Sequence, residues 1–138
     1  MPNPRYISNN GEPTVELLQR LTQAKQVYFS NLSWFCEKQA FHPNELEKIS
    51  EVYLIGSHAQ ENGWHNDTSD IDFKLINKEA LPEQLHVYKR EVLDPVLHIG
   101  EKKRWIDLWF AREDYQITSP RWNLTSYWDS ISIEKGTS

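Results

Sequence analysis

From Asp70 to Leu75 the chain alternates between charged and apolar residues at every step, in Asp70-Ile71-Asp72-Phe73-Lys74-Leu75. A period of two is the period of a β-strand, so Asp70, Asp72 and Lys74 share one face while Ile71, Phe73 and Leu75 share the other. A second segment repeats the pattern. Between Arg104 and Ala111, Trp105, Asp107 and Trp109 face one way and Ile106, Leu108 and Phe110 the opposite way. Ahead of both lies Val52-Tyr53-Leu54-Ile55, a short apolar run of strand formers that ends at Gly56-Ser57 and predicts a buried strand.

Other segments follow a helical period. Thr14 is placed to cap a helix whose apolar residues Leu17, Leu21, Ala24, Tyr28, Leu32 and Phe35 recur in steps of three and four. That stripe predicts one long helix to about Lys38, within an N-terminal helical segment of residues 14–40, after an irregular lead-in of residues 1–13. His42-Pro43-Asn44 breaks the chain, and Asn44 is expected to cap a short helix through Ile49. Pro82 suits the first turn of a helix carrying Leu85, Tyr88 and Val92, which Pro95 should end or kink. Val96 to Ile99 fits a last helical turn or a short strand. Arg121 to Lys135 reads as helical, with Gly136 as its stop. At 138 residues the chain suits a single α/β (α+β) domain, without internal repeats.

The net charge of −5 argues against nucleic-acid binding through phosphate neutralisation, which needs a dense basic patch. Lys102-Lys103-Arg104 reads as a solvated turn. Cys36 is the only cysteine and sits in an apolar periodic stretch, so it reads as a core residue and no internal disulfide forms. No apolar run resembles a signal peptide or approaches the roughly 20 residues of a membrane span, so a cytoplasmic location is expected.

The paired strand acids call for an explanation. The simplest is that they are the solvated face of an amphipathic strand. Yet Asp is poorly suited to the middle of a strand. At i and i+2, Asp70 and Asp72 lie roughly 7 Å apart with parallel side chains, and two such carboxylates repel unless a cation sits between them. Magnesium takes one or two carboxylates together with substrate phosphates. Gly56-Ser57, just before an expected helical turn at His58-Ala59-Gln60-Glu61, supplies small residues and amides that suit a phosphate, although alone it is a common turn.

Gly56-Ser57, twelve intervening residues and Asp70-Ile71-Asp72 together resemble the motif of the DNA polymerase β nucleotidyltransferase superfamily. A third acid on a later strand belongs to that pattern, and Asp107 is the matching position. The likeness covers roughly residues 45–111, which would form the catalytic core. It implies a small mixed sheet with helices on one face and the acids open on the other, preceded here by an extra N-terminal helix. It also implies that Asp70 and Asp72 bind two Mg2+ ions, that Asp107 binds one of them and helps to deprotonate an acceptor hydroxyl, and that ATP or another nucleoside triphosphate is the substrate. Gly56, Ser57, His58, Ser69 and Lys74 are the further candidates for nucleotide contact. His58 stands where family members often carry Arg, and a structural role explains it equally well. Lys74 could equally pair with a neighbouring carboxylate. Trp105 and Trp109 offer either base stacking or, more simply, the walls of a cleft.

The chain looks like the minimal nucleotidyltransferases, which usually pair with a separate helical HEPN-like partner in toxin–antitoxin arrangements. The resemblance therefore implies transfer of AMP to a hydroxyl on a helical partner protein, and the long N-terminal helix, which a small sheet domain does not obviously need, is expected to help dock it. That helix could instead simply cover the sheet. A stand-alone enzyme that adenylylates a small molecule and a non-catalytic nucleotide-binding scaffold are the alternatives.

Overall fold

In a computed structural model, which describes residues 6–8, 10–56, 59, 71–93, 106–112 and 121–133, the first helix starts where Thr14 predicts. The Thr14 hydroxyl accepts a hydrogen bond from the Leu17 amide at 3.3 Å and satisfies one of the orphan donors of the first turn. The expected long helix is bent into two, α1 (Val15–Ser30) and α2 (Leu32–Gln39). Asn31 makes the break. Its side-chain amide donates to the Val27 carbonyl at 2.9 Å, and its own N–H turns back to the Phe29 carbonyl, a local alternative to helical bonding that Asn readily offers. The apolar stripe runs through the bend unbroken, which is why the sequence pattern hides it.

α3 (Pro43–Glu47) has Pro43 at its first position and His42 as its extended cap residue, so Asn44 is not the cap and the helix stops short of Ile49. Proline's fixed φ suits that first position. Strands β1 (Glu51–Ile55) and β2 (Ile71–Ile76) follow, then α4 (Pro82–Tyr88), which continues into a π-helical turn at Lys89–Leu93. β3 (Ile106–Ala111) comes next. Where a helix is expected from Arg121 to Lys135, the described residues 121–133 instead form a two-residue strand, β4 (Trp122–Asn123), and a short helix, α5 (Thr125–Ser130). The Asn123 side chain accepts from the Thr125 amide at 2.9 Å, and the Leu124 amide donates to the Val52 carbonyl at 2.7 Å. These bonds hold the segment against β1 before it can turn helical. Pro95, residues 96–99 and Gly136 lie outside the described residues.

The sheet is mixed, in the order β3-β2-β1-β4, with β2 parallel to β3 and β1 antiparallel to both β2 and β4. Val52, Leu54, Ile71, Phe73, Leu75, Ile106 and Leu108 are buried on one face. The helices cover that face. Leu17, Leu21, Ala24 and Tyr28 of α1 are buried there, so the N-terminal stripe is used to cover the chain's own sheet. Tyr28 is at the centre, with its ring 5.1 Å from that of Tyr88 and 5.8 Å from that of Phe110. Its hydroxyl donates to the Leu46 carbonyl, and the Tyr88 hydroxyl donates to the Tyr28 carbonyl. Burial pushes the pKa of both phenols up. The Lys25 ammonium donates to the carbonyls of Trp128, in the last turn of α5, and of Ile131, just beyond its end, and ties α1 to the tail. Asn77 is buried but satisfied, donating to the Glu45 carbonyl at 2.8 Å and accepting from the amides of Glu79 and Ala80. Among the described residues, no helix is long and apolar enough to cross a membrane.

Candidate active site

The polar face of the sheet is built by register. β2 and β3 run in parallel with Asp72 opposite Asp107 and Lys74 opposite Trp109, so these four residues share one face of neighbouring strands about 4.8 Å apart. On the other side of β2, Ile55 pairs with Asp72 and Tyr53 with Lys74. Asp72, Lys74 and Asp107 are half-buried, and Trp109 is 47 % exposed. The alternation of the two strands thus becomes a row of two adjacent carboxylates, an ammonium and an indole.

Gly56 closes the row at the end of β1. Its φ of +78° lies in the left-handed region, which glycine adopts without penalty. A Cβ at Gly56 would sit 2.5 Å from Asp72 Oδ2 and 3.4 Å from its Cγ. The position therefore requires glycine twice over, for its backbone angle and for the carboxylate beside it. Approach to a phosphate was the reason the sequence suggested. The approach seen is to Asp72.

Two tryptophans frame this corner. The Trp109 Nε1–H donates to Asp72 Oδ1 at 3.1 Å, and the Lys89 ammonium lies 4.0 Å from the Trp109 ring centre. The Trp122 Nε1–H donates to the Ala59 carbonyl at 2.9 Å, while the Ala59 amide donates back to the Gly56 carbonyl at 3.1 Å. β4 thereby anchors the turn that carries Gly56. Sequence reasoning missed Trp122 and Lys89. An aromatic two residues beyond Asp107 signals Trp109 as a neighbour of the acids, but nothing in the sequence signals which atom it bonds.

Of the sequence-derived candidates, Gly56, Asp72, Lys74 and Asp107 come together here. Asp70, Ser57, His58, Ser69 and Trp105 lie outside the described residues. Among the described residues, no three His, Cys, Asp or Glu side chains gather to hold a metal. The donors present nevertheless suit magnesium in kind. Asp72 and Asp107 offer hard carboxylate oxygens on adjacent strands, and the missing Gly56 side chain leaves Asp72 Oδ2 uncrowded by a Cβ. Cys36 takes no part. It is buried in the helical layer, and burial followed by the nearby Glu47 pushes its thiol up, the reverse of what a reactive thiolate needs. Comparisons with protein-family models, with curated proteins and with solved structures each give no match.

Proposed function

We propose that the chain is a magnesium-dependent nucleotidyltransferase of the polymerase β-like type, which transfers AMP from ATP to a hydroxyl acceptor. The observation that carries this reading is the corner formed by Asp72, Asp107 and Gly56. The two matching acids of the motif stand side by side on one face, and the motif glycine abuts one of them. A solvated amphipathic strand accounts for one acid on each strand, but not for a left-handed glycine pressed against one of them.

In this reading Asp72, with Asp70 two residues before it, holds the magnesium–triphosphate, and Asp107 faces the acceptor. Bound magnesium would neutralise phosphate charge and stabilise the oxygens that enter and leave. The acceptor oxygen attacks the α-phosphorus, the α–β bridging P–O bond breaks, and pyrophosphate departs. The hydroxyl proton passes to the Asp107 carboxylate. Lys74, one step beyond Asp72 on the same face, adds positive charge near the phosphates. The acceptor proposed is a hydroxyl on a separate helical, HEPN-like protein. The apolar stripe of α1 is buried in the chain's own core, so a partner would approach the polar face of the sheet.

Labelled ATP, magnesium and extract from the source cells test this. The expected result is a discrete labelled protein band that disappears with Asp107→Ala, while nucleotide binding largely survives. A loss confined to transfer is what an interaction used only in the transition state produces. Label confined to small molecules would favour the stand-alone enzyme, and ATP binding without any transfer would favour the scaffold.

A further inference from the structure

The Asp72 carboxylate is constrained from two sides. Gly56 flanks its Oδ2, where even a methyl group would clash at 2.5 Å. On the other side the Trp109 indole N–H bonds its Oδ1 at 3.1 Å. Trp109 reaches Asp72 diagonally: it pairs with Lys74 and lies two residues beyond Asp107, the partner of Asp72. Carboxylates in register on adjacent parallel strands repel and would turn away from each other. An N–H donor on one oxygen favours the charged form and fixes the plane of the group.

The indole is itself held. Tyr88, the last residue of α4, is buried on the helical face of the sheet. Lys89 follows it at the start of the π-helical turn, and its ammonium lies 4.0 Å from the centre of the Trp109 ring on the polar face. β3 is the edge strand of the described sheet, so the lysine reaches around that edge. A half-exposed tryptophan would otherwise sample several rotamers, and a cation over its face favours one. With one ring face under Lys89, Trp109 is better suited to orienting the acid than to sandwiching a base.

We propose that Trp109 is a positioning residue, which fixes the Asp72 carboxylate for ligand binding through its indole N–H while Lys89 holds the ring. The inference rests on the reading of Asp72 as a ligand of the magnesium–nucleotide. Partners that orient a ligating group typically account for about ten- to a hundredfold in affinity.

Calorimetric titration of magnesium and ATP into the full chain, with Asp72→Asn as the reference, separates the inference from that reading. Trp109→Phe keeps a ring for Lys89 but removes the N–H. It is expected to bind about tenfold more weakly, with an unchanged melting temperature. Lys89→Met leaves the N–H but frees the ring, and is expected to weaken binding about two- to fivefold. The indole N–H resonance of Trp109 provides a readout without nucleotide. It should shift when magnesium alone is added to the wild type and stay still in Asp72→Asn. If Trp109→Phe binds like the wild type while Asp72→Asn has lost binding, the positioning role is wrong and the site stands. If Asp72→Asn binds like the wild type, the site itself is wrong, and the inference falls with it.

Discussion

At the scale of single residues, Gly56 is the most constrained position at the site. Replacing it with alanine meets two costs at once. The backbone must hold a φ of +78°, which costs a non-glycine residue about 1 kcal/mol or more, and the new methyl group must displace the Asp72 carboxylate. Gly56→Ala should therefore destabilise the protein by about 2 kcal/mol in denaturant unfolding, on the scale of a strained backbone plus a shifted polar group. Its affinity for magnesium and ATP should fall as well. An alanine variant with wild-type stability and affinity would mean that the close approach to Asp72 is unimportant. The glycine was visible in the sequence beside its serine. Its real neighbour was not, because the contact depends on how β1 and β2 align, and the strands are separated by the whole spacer from Ser57 to Asp70.

Among the elements, strands were legible where they were long enough to show a period. β2 and β3 displayed their two faces in the sequence because alternation over six residues specifies which side chains point together. β4 has two residues and no period, and its Trp-Asn pair looks like the approach to a helix. It is a strand only because β1 offers it hydrogen bonds. The bend at Asn31 was hidden for a related reason, since Leu32 and Phe35 continue the stripe on the far side. β4 also supports the site. Trp122→Phe removes the N–H that holds the Ala59 carbonyl, at an expected stability cost of about 1 kcal/mol. If β4 anchors the turn, the Ala59 amide should exchange with solvent faster in this variant than in the wild type, while the amides of β2 remain as protected as before. Unchanged exchange at Ala59 would show that the turn holds itself.

For the molecule as a whole, the described helices and their aromatic residues cover one face of the sheet and bury Tyr28 and Tyr88 in the core. The core ties pH to stability through Tyr28 and Tyr88, whose burial raises their pKa above the ordinary tyrosine value. The folded protein keeps these protons when the unfolded chain has released them, so their contribution is whole below about pH 10 and is lost as pH rises further. Unfolding free energy should fall by about 1.4 kcal/mol per pH unit for each tyrosine above that point, and Tyr88→Phe should flatten the slope. A slope above pH 10 that is unaffected by Tyr88→Phe would place the alkaline sensitivity elsewhere. On the polar face, the role proposed for Asp72 and its neighbours is to hold a magnesium–nucleotide. Calorimetric titration of ATP into wild type and Asp72→Asn, with and without magnesium, tests it most directly. Magnesium-dependent binding is expected for the wild type and none detectable for Asp72→Asn, whose fold should be at least as stable once the like charge beside Asp107 is removed. Equal ATP affinity in the two proteins, or binding indifferent to magnesium, would contradict that role.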